Sequence, residues 1–169
     1  MGVVLIRNRL TMKEYHFGIS IPGILVVALI MLPNLAYFLA TPPNDFLNEN
    51  SAINDLWNLV ENSSRFGLIL ALCFVVHGIA PRCNLLVSGL AVASILAYYG
   101  LWWGYFMGVV NQWLLLGLAF FPALFFLLVS WQQRNVIALF FASIFAVVHV
   151  AATIVKFLWV SEQQENGHP

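Results

Sequence analysis

The sequence predicts an all-α membrane protein: a polytopic helical bundle of five transmembrane helices, with its N-terminus inside and its C-terminus outside. Three observations predict it. The 169 residues are 62% hydrophobic and only 8% charged, where a water-soluble domain carries about a quarter charged side chains. Of the seven basic and seven acidic residues, all but Glu61, Arg65 and Lys156 stand between long apolar runs rather than within them. Arg7, Arg9, Lys13, Arg82 and Arg134 also fall in every second gap between those runs, the pattern that orients membrane helices.

The runs set the spans. Between Glu14 and Asp45 no residue is charged, and this stretch holds a first span over about 17–40. Arg82 and Arg134 bracket fifty-one uncharged residues. A bilayer core takes about 20 helical residues, so this is two spans, 85–108 and 112–131, turning where Asn111 and Gln112 interrupt the apolar run. A last span occupies 135–159. The sixteen residues between Arg65 and Arg82 are too few to cross alone. A span there has to begin near Leu56 and run to about residue 80, carrying Glu61 and Arg65 in its first turns. With five spans, Arg7, Arg9, Lys13, Arg82 and Arg134 share the inner side, while Asp45, Glu49, Asp55, Glu162 and Glu165 share the outer side. The whole of 1–169 reads as a single integral membrane domain of the plasma membrane. The first apolar stretch is longer than a signal-peptide core, and Phe38-Leu39-Ala40 lacks the small-x-small pattern of a cleavage site, so it is expected to stay as an anchor.

Within the first helix Pro33 is expected to produce a kink, because proline removes a backbone donor, and Pro42-Pro43 stops the helix. In the third span Gly100, Gly104 and Gly108 recur every fourth residue, a spacing that lets helices approach closely in lipid. That stripe is expected to pack on a neighbouring helix or, failing that, on a second copy of the chain.

Ionisable residues inside membrane helices are costly and mark functional candidates. Glu61 and Arg65 stand in the favourable acid-first order at i, i+4. Their bland alternative is an interfacial salt bridge. His149, Thr153 and Lys156 lie on one face of the last helix, where His149 can equally be a neutral imidazole tying two helices and Lys156 a snorkelling anchor. His77 points away from Glu61 and reads as structural. With this topology Asn34 and Tyr37, Glu61 and Arg65, the aromatic run Tyr98, Tyr99, Trp102, Trp103 and Tyr105, Gln112 and Trp113, and His149, Thr153 and Lys156 all fall in the outer half of the bilayer. The expected ligand-binding residues are therefore Asn34, Glu61, Arg65, His149 and Lys156, around an outward-facing pocket. No catalytic residue and no metal site is expected.

Leu32-Pro33-Asn34, followed by Glu61-x3-Arg65-Phe66-Gly67, resembles a loose group of small multi-pass membrane proteins of Gram-positive bacteria. Ser64 stands where that group has glycine. The resemblance covers about residues 32–70. It implies a bacterial plasma-membrane protein and no particular reaction.

Several classes drop out. No Walker loop, HExxH, GxSxG or CxxC pattern occurs, and Cys73 and Cys83, with nine residues between them, have no redox spacing. No cofactor is expected. Zero net charge and no basic cluster argue against nucleic acid. The expected partners are the lipid bilayer and either a second copy or another membrane subunit. Three functions remain: a component that binds or transports a small or lipidic ligand, an accessory or structural subunit, and a membrane enzyme using Glu61 or His149 as acid–base.

Overall fold

A computed structural model describes residues 15–40, 42, 43, 47 and 55–166, with side chains as far as residue 156. The sequence reading relied on Arg7, Arg9, Lys13, Asp45, Glu49 and the side chains of Glu162 and Glu165 for orientation, and these lie outside the described residues. The described chain is helical. A short strand β1 (Tyr15–Phe17) precedes α1 (Ile21–Leu39). Then come α2 (Asp55–Phe74), a second short strand β2 (Val75–His77), α3 (Leu85–Phe106), α4 (Gln112–Gln132) and α5 (Val136–Asn166). Helices α1, α3, α4 and the Val136–Lys156 part of α5 are each long and apolar enough to cross a membrane, and the chain is membrane-embedded. With 20 residues, α2 is as long as α1 but more polar, because it holds Asp55, Glu61 and Arg65.

The turns form where side chains replace the missing helical acceptors. Ser20, Asn84, Asn111 and Asn135 each stand just before a helix and accept from a backbone N–H three residues on. This is the standard remedy for the unpaired N–H groups of a helix start. Pro22 in the first turn of α1 costs nothing there, since its N–H would have been unpaired.

Consecutive helices run in opposite directions. One end of the bundle gathers the start of α1, the end of α2, the start of α3, the end of α4 and the start of α5. Gly18 and Ser20 donate to the carbonyls of Phe74 and Cys73, and Arg82 N–H to that of Gln132. Around the bundle the helices follow the order α1–α2–α5–α4–α3, and α1 meets α3 only lightly. α2 thus packs between α1 and the last helix of the chain.

The second helix departs from expectation. A span over 56–80 was expected, but α2 ends at Phe74 and the chain straightens into β2, which pairs antiparallel with β1 through Tyr15↔His77 and Phe17↔Val75. The β-branched pair Val75-Val76 suits an extended chain, and the strand pairing satisfies backbone groups that helix would otherwise have to satisfy. Asn135 fixes this end. It is 2% exposed, caps α5 with its oxygen, and donates through Nδ2 to the carbonyls of Ala71 (2.8 Å) and Val75 (3.0 Å).

The glycine stripe of α3 also departs from expectation. Gly100 has open space where a Cβ would be, Gly104 faces only the end of the Leu114 side chain, and Gly108 carries a φ of 85° in the turn after the helix. Neither Gly100 nor Gly104 brings two backbones together. Close approach occurs at Gly23, where a Cβ would run into the Leu72 carbonyl, and at Gly67, which lies under the Phe141 ring.

At the light α1–α3 contact the proline of α1 has a specific consequence. Pro33 has no N–H, so the carbonyl of Leu29, four residues earlier, loses its helical donor. The hydroxyl of Tyr99 on α3 donates to that carbonyl at 2.7 Å.

Candidate functional site

The five helices enclose a cavity of about 540 Å³, within the range of small-molecule sites. Every helix contributes to its wall. Asn34, Glu61, Arg65, His149 and Lys156, singled out from the sequence, all line it. Helix direction orders the wall by depth. Val27, Ile69, Phe126 and Phe145 lie toward the middle of the bundle, whereas Tyr37, Glu61, Leu115 and Lys156 lie toward the end opposite the β-strands. Along α5, Phe145 to Lys156 is eleven residues, about 16 Å of helical rise. The chamber therefore has an apolar inner part and a polar outer part.

Glu61 is the hub of the polar part. One oxygen, Oε1, accepts from Arg65 Nη2 at 2.5 Å and from His149 Nδ1 at 2.9 Å. The first bond is local, the i, i+4 pair of α2. The second joins α2 to α5 across the bundle. The Glu61 side chain is 16% exposed, that of His149 25% and that of Arg65 41%. The carboxylate is thus largely covered while the guanidinium keeps an open side. The contact is made through Nδ1, which leaves Nε2 as the second functional atom of the ring.

Phe145, one turn before His149, supports both partners of Glu61. The imidazole stacks on its ring at 4.8 Å and 15°, and the Arg65 guanidinium carbon stands 5.4 Å from the same ring centroid. The Thr153 hydroxyl is turned back onto the His149 carbonyl at 2.9 Å. Lys156, on the same face of α5, lies within electrostatic range of Glu61.

The facing wall is aromatic and belongs to α1 and α3. Asn34 Nδ2 donates to its own helix at Ile30 and, at 3.1 Å, to the Tyr98 hydroxyl. Trp102 packs edge-on against Tyr98 and Tyr105 and tilted against Tyr37. It is 5% exposed, and its indole N–H reaches no acceptor among the described residues. Leu47 N–H donates to the Tyr105 hydroxyl at 3.1 Å, which brings a residue of the α1–α2 connection to the cavity mouth. His77 lies at the other end, in β2 beside Tyr15, away from the cavity.

Sequence reasoning found the charged set because charge is rare in such a chain. It did not single out Trp102 as a cavity wall with an unanswered donor, since aromatic residues near a membrane surface ordinarily form a belt. Trp103, 68% exposed, fits that belt; Trp102, its neighbour, faces inward. Nor did the sequence mark Asn135, which reads there only as a turn residue.

Chemically, the site can hold an amphipathic molecule, or it can move a proton between Glu61 and His149. Among the described residues no third His, Cys, Asp or Glu joins that pair to complete a metal-ligand set. The fold and site define a class, a membrane-embedded helical bundle with an internal, half-polar chamber. No protein-family model, curated protein or solved structure matches this chain, so its functional assignment rests on the site itself.

Proposed function

We propose that this chain is a five-span plasma-membrane protein of a bacterium, N-terminus inside, and that it serves as the binding component for a small amphipathic or lipidic ligand taken from the outer side. One observation carries the reading. The few polar groups of an otherwise apolar chain stand together on a chamber bordered by all five helices. A protein that needed polar groups only to hold its helices together has no use for a roomy cavity around them. Five spans are supported by the place of α2 in the ring, between α1 and α5. The orientation is supported by Arg82 and Arg134, which share the end where α2 meets α3 and α4 meets α5. The bacterial assignment draws on the Leu32-Pro33-Asn34 and Glu61-x3-Arg65 resemblance. A single five-helix chain has no second repeat against which to rock, so transport calls for a second copy or a partner subunit.

The Glu61–His149 contact favours a second reading, an enzyme that uses the pair as acid–base. The two are separated by purification in an uncharged detergent followed by lipid and metabolite mass spectrometry. The binding reading expects a stoichiometric molecule that is absent from Ala119→Phe, a substitution that fills the chamber. A melting temperature close to wild type shows that this variant is folded, and Ala152→Phe serves if it is not. A ligand retained unchanged in both variants refutes the binding reading.

A further inference from the structure

The wall of the chamber is closed on three helices and open along an edge of the other two. On α3, α4 and α5 every side chain that borders the chamber is buried or half-buried. On α1 two are not: Met31 is 42% exposed and Phe38 80%. Seven residues apart, they point within about 20° of one another and form one edge of the helix. Tyr37, which packs on Trp102 and Tyr105 of α3, points about 100° away from Phe38. The open edge therefore lies on the side of α1 away from α3, where α2 is the next helix in the ring.

α2 has a matching edge. Arg65 and Ile69 border the chamber one turn apart. They stand about 160° round the helix from Gly67, which α5 covers with the Phe141 ring. The Arg65 side chain is the half-open one of the Glu61 pair, and Asn62, seven residues before Ile69 on the same flank, is exposed. Toward the other end the two helices close. A Cβ at Gly23 would run into the Leu72 carbonyl, and Leu68 and Leu72 are fully buried. The gap is a wedge, shut beside the β-strands and open in the outer half. Met31 stands eight residues from the outer end of α1, about 12 Å of rise into a hydrocarbon core of about 30 Å. At that depth the wedge faces lipid chains, not water.

We infer that the ligand is a lipid of the outer leaflet that enters sideways between α1 and α2, one chain passing Met31 to lie against Leu118 and Phe126 of α4. This rests on the binding reading and the topology proposed above, and it gives the ligand a source, the bilayer itself. A chain that moves from bilayer hydrocarbon into an apolar chamber stays out of water throughout. Entry from the end of the bundle would instead drag it through water and past the polar groups around Glu61.

The test places the full chain in phosphatidylcholine nanodiscs in which a small share of the lipid carries a diazirine at the end of one acyl chain. Irradiation and peptide mass spectrometry then read where that chain end lies. Adducts are expected on Leu118 and Phe126, which are buried within the bundle, and should fall at least tenfold in Ala119→Phe. The route is read in a Cys73→Ser, Cys83→Ser, Met31→Cys chain modified with N-benzylmaleimide. Modification in detergent, before transfer to the nanodiscs, should cut these adducts at least fivefold relative to the same chain unmodified. Modification after the lipid has loaded should leave them, because the benzyl group then shuts an entrance already used. Leu96→Cys, on the exposed face of α3, should give the same adducts with and without modification.

Adducts that survive modification of Met31→Cys before loading overturn the sideways route. So does their loss in both orders, which puts position 31 in the ligand's seat instead of its entrance, and so does an equal loss on modifying Leu96→Cys. In these cases the binding reading stands as long as Ala119→Phe abolishes the adducts. No adducts on Leu118 or Phe126 overturn the lipid, and the binding reading then survives only if a water-soluble molecule co-purifies with the native chain and is lost from Ala119→Phe. Adducts that Ala119→Phe leaves intact defeat both.

Discussion

Tyr99→Phe removes one oxygen from the seam between α1 and α3, and its cost depends on a residue in the other helix. In the native chain Pro33 deprives the Leu29 carbonyl of its helical donor, and the Tyr99 hydroxyl supplies the replacement at 2.7 Å. Leu29 is 38% exposed, facing lipid, where no water can stand in. Leaving a carbonyl unsatisfied costs about 1–3 kcal/mol, while measured interhelical side-chain bonds in membranes average about 0.6 and reach about 1.7 kcal/mol. A loss of about 1–1.5 kcal/mol is therefore expected, roughly tenfold in the folding equilibrium. In a Pro33→Ala background residue 33 regains its N–H and returns the helical bond to Leu29, so Tyr99→Phe should then cost a few tenths of a kcal/mol at most. Equilibrium unfolding of all four proteins in mixed micelles, followed by tryptophan fluorescence, gives the coupling directly. An equal cost of Tyr99→Phe in both backgrounds would refute the account of the seam.

Four further outcomes are expected. Asn135→Ala loses a helix cap worth about 1 kcal/mol and two donated bonds of about 1 kcal/mol each, so unfolding should show a loss of about 3 kcal/mol. Asn135→Asp should be no better, because it keeps the cap but turns a charge on the Ala71 and Val75 carbonyls, and rescue by Asp would disprove the donor role. Gly23→Ala should lower the melting temperature sharply, as its Cβ runs into the Leu72 carbonyl, whereas Gly100→Ala should be neutral or stabilising by up to about 1 kcal/mol; a reversed order would contradict the packing described. Glu61→Gln should cost more than Arg65→Gln, because Glu61 is the more covered and bonds both Arg65 and His149, while the half-open Arg65 pair is worth about 1 kcal/mol or less; equal small losses in a double-mutant cycle would demote Glu61 from hub to surface anchor. In a Cys73→Ser chain, the native Cys83 should react with an impermeant maleimide only after permeabilisation, and in a Cys73→Ser, Cys83→Ser chain Asn50→Cys should react on intact cells; the opposite labelling would invert the topology.

The helices and the charged part of the site were readable because each rests on a local signal. Apolar runs bounded by charge place α1, α3, α4 and the start of α5 to within a few residues, while α5 runs on to Asn166, past the expected end at 159, and Asn111-Gln112 marks the α3–α4 turn. Glu61, Arg65, His149 and Lys156 stand out because each is expensive in lipid. What the sequence could not convey is which helix lies beside which. The ring order decides that Gly100 looks outward, that Trp102 faces the cavity and Trp103 does not, and that Asn135 meets the end of α2. The end of α2 at Phe74 depends on a strand partner sixty residues away, which no window around Val75 contains. The missing donor at Leu29 follows from Pro33 alone, but the hydroxyl that answers it follows only from the fold.

The ring order also bears on how the chain is made. On the five-span reading α2, the most polar of the helices, packs against α5, and the ribosome must add α3 and α4 before α5 exists. For that interval Glu61 has no His149 to bond. Arg65, one turn away on the same helix, is the one charged partner that emerges together with it. The pair lets α2 enter the membrane with Glu61 and Arg65 already neutralising each other and wait there. When the final helix arrives, His149 binds the carboxylate oxygen from the other side, closing the ring and completing the chamber in the same step.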